Sequence, residues 1–354
     1  MKPIAFIPLA AAALALAGCS TAEFYLQGIS GEIDLLSRAR PISAVLANAR
    51  DPVVRAKLER VVSIRDFASR ELGLPDNLSY RRYTEIQRRF VTWNVFAAPE
   101  LSLSAMQWCF PIAGCVNYRG YFNESDARAE AATLAAKGDD VYIGGVPAFS
   151  TLGYFADPLL STFIRYPDVE IARLIFHELA HQVAYAKDDT VFNESYAVTV
   201  EEEGLRRWLA AQHDPELDRQ YALSERYRTT FRTLVDAARS RLEKLYASGA
   251  SDEAKRTGKA QAFAAMREEY EATKRAWGGF SLYDYWFQHP NNASLAAVGL
   301  YTQKVPEFQA LLAAEGGDLP RFYAKVKELA ALPKSQRETA LAQAAGTKSS
   351  RATP

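Results

Sequence analysis

Two of the four histidines in this chain, His177 and His181, stand four residues apart, and Glu178 follows the first of them. On a helix, residues i and i+4 lie on the same face, so both imidazoles could reach one metal ion. Glu178 would lie beside that ion, where a carboxylate can take a proton from an activated water without occupying a ligand position. This HExxH pattern predicts the zinc site and general base of a metallopeptidase.

The predicted helix that carries the motif is apolar on nearly every side. Its apolar residues are Ala172, Leu174, Ile175, Phe176, Leu179, Ala180, Val183 and Ala184. A helix of this kind belongs in the middle of a domain. Histidines buried there need polar partners, and metal ligation would supply one to each.

A catalytic zinc site also needs a third protein ligand. The remaining histidines, His213 and His289, lack the spacing of the extended HExxHxxGxxH motif, which favours a carboxylate on the following helix. Glu194 is the first candidate, because it lies near the start of that helix on the same side as small and apolar residues. Glu201 is the alternative, either as the ligand or as a partner of a metal-bound histidine.

Peptide hydrolysis also needs a donor for the oxyanion that forms as water attacks the carbonyl. His289, Tyr283 and Tyr196 are candidates, and the sequence does not choose between them. The predicted strand Val141–Phe149 leads toward the motif and could pair with the backbone of a substrate if it lies at a sheet edge. An ordinary sheet strand followed by a turn is the alternative.

The periodicity of the chain predicts an α+β fold that is mainly helical, with a small antiparallel or mixed sheet. Strands are predicted at Tyr80–Ile86, Phe90–Ala97, Val116–Phe122 and Asp140–Phe149, the first two as antiparallel neighbours, and two long charged helices form a hairpin at about 214–277. No internal linker is evident, so 19–332 is predicted as a single domain. The tail 333–354 loses large apolar residues and is predicted to be disordered.

The first 18 residues have a positive start, a short apolar stretch and a small-residue end, which predicts a signal peptide. Its end, Leu16-Ala17-Gly18-Cys19, resembles the lipobox of bacterial lipoproteins, in which Cys19 becomes the lipid-modified N-terminus. Ser20 resembles the outer-membrane sorting pattern. We therefore expect an envelope lipoprotein, anchored in the outer membrane through its lipid and facing the periplasm.

The other two cysteines, Cys109 and Cys115, are six residues apart. An oxidising compartment favours a disulfide between them. A pair of zinc-ligating thiols is a weaker alternative, because no further cysteine could complete such a site. The chain balances 42 basic with 42 acidic residues, so electrostatics give no reason to expect a nucleic-acid partner.

Several segments together resemble a bacterial family of predicted aminopeptidases over about Phe24–Leu332. These are the lipobox, Phe149-Ser150-Thr151-Leu152-Gly153-Tyr154-Phe155, the motif run through Gln182, and Phe192-Asn193-Glu194-Ser195-Tyr196-Ala197. The resemblance implies a zincin-like peptidase with His177, His181 and Glu194 on zinc and Glu178 as the base.

The predicted function is therefore zinc-dependent hydrolysis of peptides, with aminopeptidase action as the family's description implies. Aminopeptidase action needs an acidic group that holds the free amine of the substrate, and the sequence identifies none, so endopeptidase action stays open. One alternative is a non-catalytic envelope lipoprotein that keeps the fold for binding, but the intact Glu178 argues against it. Another is a scaffold built on the helical hairpin with a structural zinc, which would more usually have four protein ligands.

Overall fold

Helices make up most of the computed structural model, which describes residues 7–110 and 114–346, with side chains from residue 23 onward. The helices are α1 (Ile7–Arg38), α2 (Ile42–Leu46), α3 (Pro52–Arg70), α4 (Glu124–Ala135), α5 (Asp168–Val183), α6 (Thr190–Gln212), α7 (Pro215–Tyr246), α8 (Asp252–Ala276), α9 (Asp284–Gln288), α10 (Asn292–Thr302), α11 (Val305–Ala314), α12 (Leu319–Ala330) and α13 (Lys334–Ala344). Together with small sheets they form a mainly helical α+β fold, as predicted. Among the described residues, no helix is long and apolar enough to cross a membrane.

The described strands are short and form three small sheets. They are β1 (Arg40–Pro41), β2 (Arg82–Thr84), β3 (Thr92–Pro99), β4 (Trp108–Phe110), β5 (Gly114–Val116), β6 (Arg119–Tyr121), β7 (Asp139–Val146) and β8 (Leu159–Leu160). Their orders are β1-β2-β8, β6-β3-β7 and β4-β5. In the last of these, Cys109 lies opposite Cys115 and the two form a disulfide.

The predicted pairing of the first two strand regions is wrong. β2 pairs in parallel with β8, where Tyr83 is opposite Leu159, whereas β3 lies between β6 and β7 in a separate sheet. Tyr83 and Leu159 are both buried. Burial of residues far apart in the chain therefore decides this pairing, rather than nearness in sequence.

β7 lies at the edge of its sheet. It pairs antiparallel with β3 from Val146, opposite Thr92, to Asp139, opposite Pro99. The side chain of Asn291 donates a hydrogen bond to the Val141 carbonyl at 2.8 Å. Among the described residues no further strand pairs with β7 on the side away from β3. Another chain segment in extended conformation could therefore pair with β7 there.

α5 lies in the interior and packs against α3, α6 and α7. Its buried apolar residues are Val169, Ile171, Ala172, Ile175, Phe176, Leu179 and Ala180. Gly204 lets α6 approach closely, because a Cβ there would lie 2.9 Å from the Phe176 ring and 2.8 Å from the Leu72 side chain. The motif is thus held on a helix that cannot shift without disturbing the core.

The end of the chain corrects a prediction. Residues 334–344, predicted to be disordered, form α13. Arg337 is buried and donates a hydrogen bond from Nη1 to Asp189 Oδ2 at 2.6 Å, and Leu341 is buried beside the main core. A buried ion pair and one leucine thus anchor a segment whose composition is too polar to suggest order. Residues 347–354 lie outside the described part.

The predicted signal peptide, 1–18, falls partly outside the described residues. α1 is described from Ile7, but the side chain of Cys19, the predicted lipidation site, is outside the described set. From residue 23 onward α1 lies along the rest of the fold and contacts β2 and β6.

Candidate functional site

Three buried side chains converge where α5 meets α6. His177 Nε2 lies 3.2 Å from His181 Nε2 and 3.2 Å from Glu194 Oε2. The distance from His181 Nε2 to the same carboxylate oxygen is 3.6 Å. These three atoms form a group that could hold a metal ion.

Local sequence explains why the group forms. The two histidines are one helical turn apart and so project from one face of α5. Asn193 fixes the connection to α6, because its side chain accepts from the Ala186 amide at 2.7 Å and donates to the Ala186 carbonyl at 2.8 Å. Asp189 caps α6 by accepting from the Phe192 amide. Glu194 therefore lies just after the first turn of a helix whose start is held by these hydrogen bonds.

Glu201 lies on the other side of His177. Its Oε2 is 2.8 Å from His177 Nδ1, and its Oε1 accepts from Arg173 at 3.1 Å and Arg228 at 3.5 Å. An ionised carboxylate only accepts hydrogen bonds, so His177 Nδ1 carries a proton toward Glu201, and Nε2 is the ring nitrogen that faces Glu194 and is left to ligate a metal. Of the two carboxylates considered as the third ligand, Glu194 belongs to the group. Glu201 binds Nδ1 of His177, on the side of the ring away from the group, and so orients that ring.

The carboxylate of Glu194 and the two histidines shift one another's pKa values. Burial alone would raise the pKa of Glu194, but the charge of His181 and hydrogen bonds from both histidines outweigh it and hold the pKa at about 2. Burial lowers the pKa of His177, but its hydrogen bonds to Glu194 and Glu201 outweigh this and raise it well above its ordinary value. The pocket is thus built to hold positive charge between two imidazole nitrogens and a carboxylate. Two imidazole nitrogens and one carboxylate oxygen are a donor set that fits Zn²⁺, which would displace the protons that the histidines now share with Glu194.

Glu178 is half-buried and lines the cavity beside the group. Burial raises the pKa of its carboxyl, and the charges of His177 and His181 oppose that effect. The polar side chain of Ser150 also lowers the pKa of Glu178. Glu178 is thus placed for proton transfer at the cavity surface rather than for ligation.

The cavity has a volume of about 1110 Å³, which is large enough for several residues of a peptide. One wall is α1, the floor is α5 and α6, and the end of β7 with the loop 147–155 forms another side. Gly145 and Val146, at the end of the edge strand, line it. Gly145 is required by packing, because a Cβ there would lie 2.3 Å from the Phe90 ring.

The three oxyanion candidates from the sequence have different positions. Tyr283 lines the cavity and stacks on Phe231, with 4.6 Å between ring centroids. His289 is exposed beside Tyr285 and is not among the residues that line the cavity. Tyr196 is fully buried in the core and also lies outside the cavity lining. Of the three, only Tyr283 is brought to the cavity.

Other tyrosines that line the cavity were missed from the sequence, among them Tyr301 and Tyr118. Tyr301 lies with its ring 6.3 Å from that of His177 and lines the cavity, as does Tyr118. The charge of Glu194 and burial raise the pKa of Tyr301 well above its ordinary value, and burial followed by the same charge raises the pKa of Tyr118. Both therefore keep their protons. With 18 tyrosines in the chain, no local pattern distinguishes these two.

A mainly helical α+β fold with a buried two-histidine, one-carboxylate group at the floor of a cavity defines a class of candidate metalloenzymes. Residues 23–341 match the family model described as "Putative aminopeptidase", which covers most of the chain. The chain belongs to this family, and that membership indicates a peptidase. Comparison with curated proteins and with solved structures yields no significant match.

Proposed function

We propose that this protein is a zinc-dependent, zincin-like peptidase. The observation that carries the proposal is the convergence of His177 Nε2, His181 Nε2 and Glu194 Oε2 beside Glu178 in one cavity. Bound Zn²⁺ would polarise the substrate carbonyl and make water a nucleophile near neutral pH. The family to which the chain belongs supports peptides as the substrate.

Glu178 is the proposed general base and acid. Its carboxylate takes a proton from the attacking water and returns it to the nitrogen of the scissile bond. The leaving group therefore departs as a neutral amine rather than as an amide anion. Ser150, which also lines the cavity, lowers the pKa of this carboxyl and so favours the ionised form that a base needs. Glu201 and Arg173 keep the ring of His177 in place during the reaction.

Tyr301 is the proposed donor to the developing oxyanion. It is the tyrosine whose ring contacts a proposed ligand, and it lines the cavity. Tyr301→Phe should lower kcat by roughly 10²–10³-fold with little change in KM, the effect of losing one such donor. Tyr283→Phe is the matched control, because Tyr283 lines the same cavity but stacks on Phe231. Equal losses in the two variants would refute this assignment.

The edge of β7 is the proposed docking position for the substrate backbone. Gly145 and Val146 line the cavity. The edge of β7 that faces away from β3 has no strand partner among the described residues. An extended peptide could therefore add as a strand, which fixes its backbone without selecting its side chains. This supports a peptidase of broad sequence preference.

The deciding experiment measures zinc and hydrolysis in the full chain, solubilised in detergent. Glu178→Gln should keep stoichiometric zinc and lose roughly 10²–10⁴-fold in kcat on unblocked peptides. Glu194→Gln should lose zinc. Absence of zinc from the wild-type protein after growth with zinc, or full activity of Glu178→Gln, would refute the proposed function.

We also propose that the protein is an envelope lipoprotein attached through Cys19. The support is the sequence Leu16-Ala17-Gly18-Cys19 after an apolar N-terminal stretch. Cells fed radiolabelled palmitate should label the wild-type chain and not Cys19→Ser. Label in both, or in neither, would refute the anchor.

A further inference from the structure

An exposed apolar face runs along α1 beside the cavity. Leu26, Ile29 and Ile33 follow one another at helical spacing, so they lie on one side of the helix. More than half of each of these side chains is exposed, and Ile29 and Ile33 also line the cavity. A contiguous exposed apolar face of this kind marks a surface that contacts another apolar body.

A second exposed apolar group lies on the loop that follows β7. Leu152 and Gly153 have φ angles of 57° and 84°, and this left-handed turn leads into Tyr154 and Phe155, which are 85 % and 55 % exposed. Leu152 and Phe155 line the same cavity as the face of α1. The turn rests on α5, because a Cβ at Gly153 would lie 3.2 Å from the side chain of Gln182.

Packing joins these two apolar groups. Gly31 lets α1 lie directly on the Phe122 ring, because a Cβ there would be 2.2 Å from that ring. The Phe122 ring in turn contacts the Phe149 ring at the start of the loop, with 5.2 Å between centroids. The two groups therefore form one apolar rim of the cavity, which consists of Leu26, Ile29, Ile33, Leu152, Tyr154 and Phe155.

The place of α1 in the chain indicates what the apolar rim contacts. Cys19, the proposed lipid attachment site, is seven residues before Leu26 on the same helix, a distance of about 10 Å along its axis. Acyl chains on Cys19 would fix this end of α1 at a bilayer surface, where an amphipathic helix buries its apolar face about 5–10 Å deep. Tyr154 adds a side chain of the type that is enriched at membrane–water interfaces.

We propose that the apolar rim docks on the lipid surface to which Cys19 is attached, so that the cavity opens toward the bilayer. This inference rests on the proposed attachment at Cys19 and goes beyond the proposed peptidase function. In this orientation the cavity receives amphipathic peptides that lie on the lipid surface in preference to peptides free in solution.

Fluorescence quenching in vesicles tests the docking. Cys19 is lipidated and Cys109 is paired with Cys115, so Tyr154→Cys adds one free thiol that can carry a dye. The full chain is reconstituted in vesicles of phosphatidylethanolamine and phosphatidylglycerol. Lipids brominated on their acyl chains should quench this dye, and aqueous iodide should not. Ala250→Cys, in the exposed turn between α7 and α8, is the control and should show the reverse.

Charges placed on the apolar rim should lift it from the lipid. Ile29→Glu/Ile33→Glu should remove most of the quenching by brominated lipid at position 154. Val53→Glu/Leu223→Glu is the matched control, because it changes two exposed apolar residues that do not line the cavity, and it should keep the quenching. Equal quenching in the two double variants would overturn the proposal.

The wild-type background has two further outcomes that would overturn the docking. A dye at position 154 that iodide quenches and brominated lipid does not would show that the apolar rim faces water. A dye that neither quencher reaches would show that protein covers the apolar rim, for example a second copy of the chain.

Palmitate labelling and hydrolysis separate this proposal from those on which it builds. A palmitate-labelled chain whose dye faces water would refute the docking alone, whereas an unlabelled chain that leaves the vesicles would refute the anchor and the docking together. Cleavage of no peptide would refute the peptidase function, while the quenching would still decide the docking.

The substrate preference has its own measurement. An amphipathic peptide that adsorbs to the vesicles should be cleaved with a several-fold higher kcat/KM than a scrambled form that stays in solution. Ile29→Glu/Ile33→Glu should remove this preference. Equal cleavage of the two peptides by the reconstituted wild type would refute it.

Discussion

Two buried carboxylates on different walls of the same cavity, Glu201 and Glu32, have opposite surroundings. Glu201 meets His177, Arg173 and Arg228, whereas Glu32 has no hydrogen-bond partner among the described residues. Burial would raise the pKa of Glu201, but its hydrogen bond to His177 and the charges of its neighbours hold it at about 2. Burial and then the charge of Asp157 raise the pKa of Glu32 to about 7.

The difference separates two uses of a buried charge. A carboxylate that is fully paired within the fold stabilises one arrangement of its partners and has no capacity left for a ligand. A carboxylate left unpaired in the interior destabilises the fold when it is ionised. We therefore expect Glu201 to stabilise the geometry of the metal site and Glu32 to destabilise the fold at pH values where it is ionised.

The largest expected effect is on stability. Glu201→Ala leaves the buried Nδ1 of His177 without its partner and removes one of the carboxylates paired with buried Arg173, which keeps Glu225, so it should lower the free energy of unfolding by about 3 kcal/mol. Urea denaturation monitored by circular dichroism measures this. Glu202→Ala is the control, because Glu202 makes a partly exposed pair with Arg232, worth about 1 kcal/mol or less. Equal losses in both variants would contradict the role assigned to Glu201.

The next effect is on metal affinity. Glu201→Gln keeps the shape of the side chain but removes the charge that holds the proton on His177 Nδ1, so zinc affinity should fall by roughly 10–100-fold. Competition with a chromophoric chelator measures it. Glu32→Gln should leave zinc affinity unchanged, because Glu32 is outside the metal-holding group. A similar loss in the two variants would remove the distinction between the carboxylates.

A smaller effect, of opposite sign, is expected for the stability of Glu32→Gln. The folded-state pKa of about 7 exceeds the ordinary value of 4.5, so ionisation of Glu32 destabilises the fold progressively as pH rises between these values. The variant should therefore be more stable than the wild type by about 1 kcal/mol at pH 8, allowing for solvent screening, and equally stable below pH 4.5. Thermal unfolding at pH 4 and pH 8 measures this. A variant less stable than the wild type at pH 8 would show that Glu32 has a stabilising partner.

The smallest effect concerns the interaction between Glu32 and Asp157. Burial is the larger cause of the raised pKa of Glu32 and the charge of Asp157 the smaller one. Asp157→Asn should therefore lower the pKa of Glu32 below about 7 while leaving it above 4.5. A ¹³C-detected titration of the side-chain carboxyl measures this. An unchanged pKa would mean that the two groups do not interact across the cavity wall.

The parts of the site that could be predicted from sequence are those set by short stretches of chain. One helical turn brings His177 and His181 together, and the next helix supplies Glu194 near its start. Helical periodicity also identified the hairpin of α7 and α8 and the mainly helical fold. These results follow from the regular geometry of the helix, which needs no knowledge of the rest of the chain.

Long-range packing decided what could not be predicted. Tyr301 and Glu32 are far from the motif in sequence, and neither has a local pattern that marks it. The pairing of β2 with β8 and the order of α13 likewise depend on partners distant in the chain, as the contact between Arg337 and Asp189 shows. Composition shows that a segment is polar, but it does not show that one of its charged residues forms a buried ion pair with a residue elsewhere in the chain.

The sequence by itself determined the proposed chemistry of this protein, because the HExxH spacing and helix geometry suffice to place two imidazoles and a carboxylate on one turn. Only the tertiary structure decided which buried carboxylates are paired and that Glu32 has no hydrogen-bond partner among the described residues. The physical reason is that pairing depends on distances of about 3 Å between residues from different elements, and only the packed fold sets those distances.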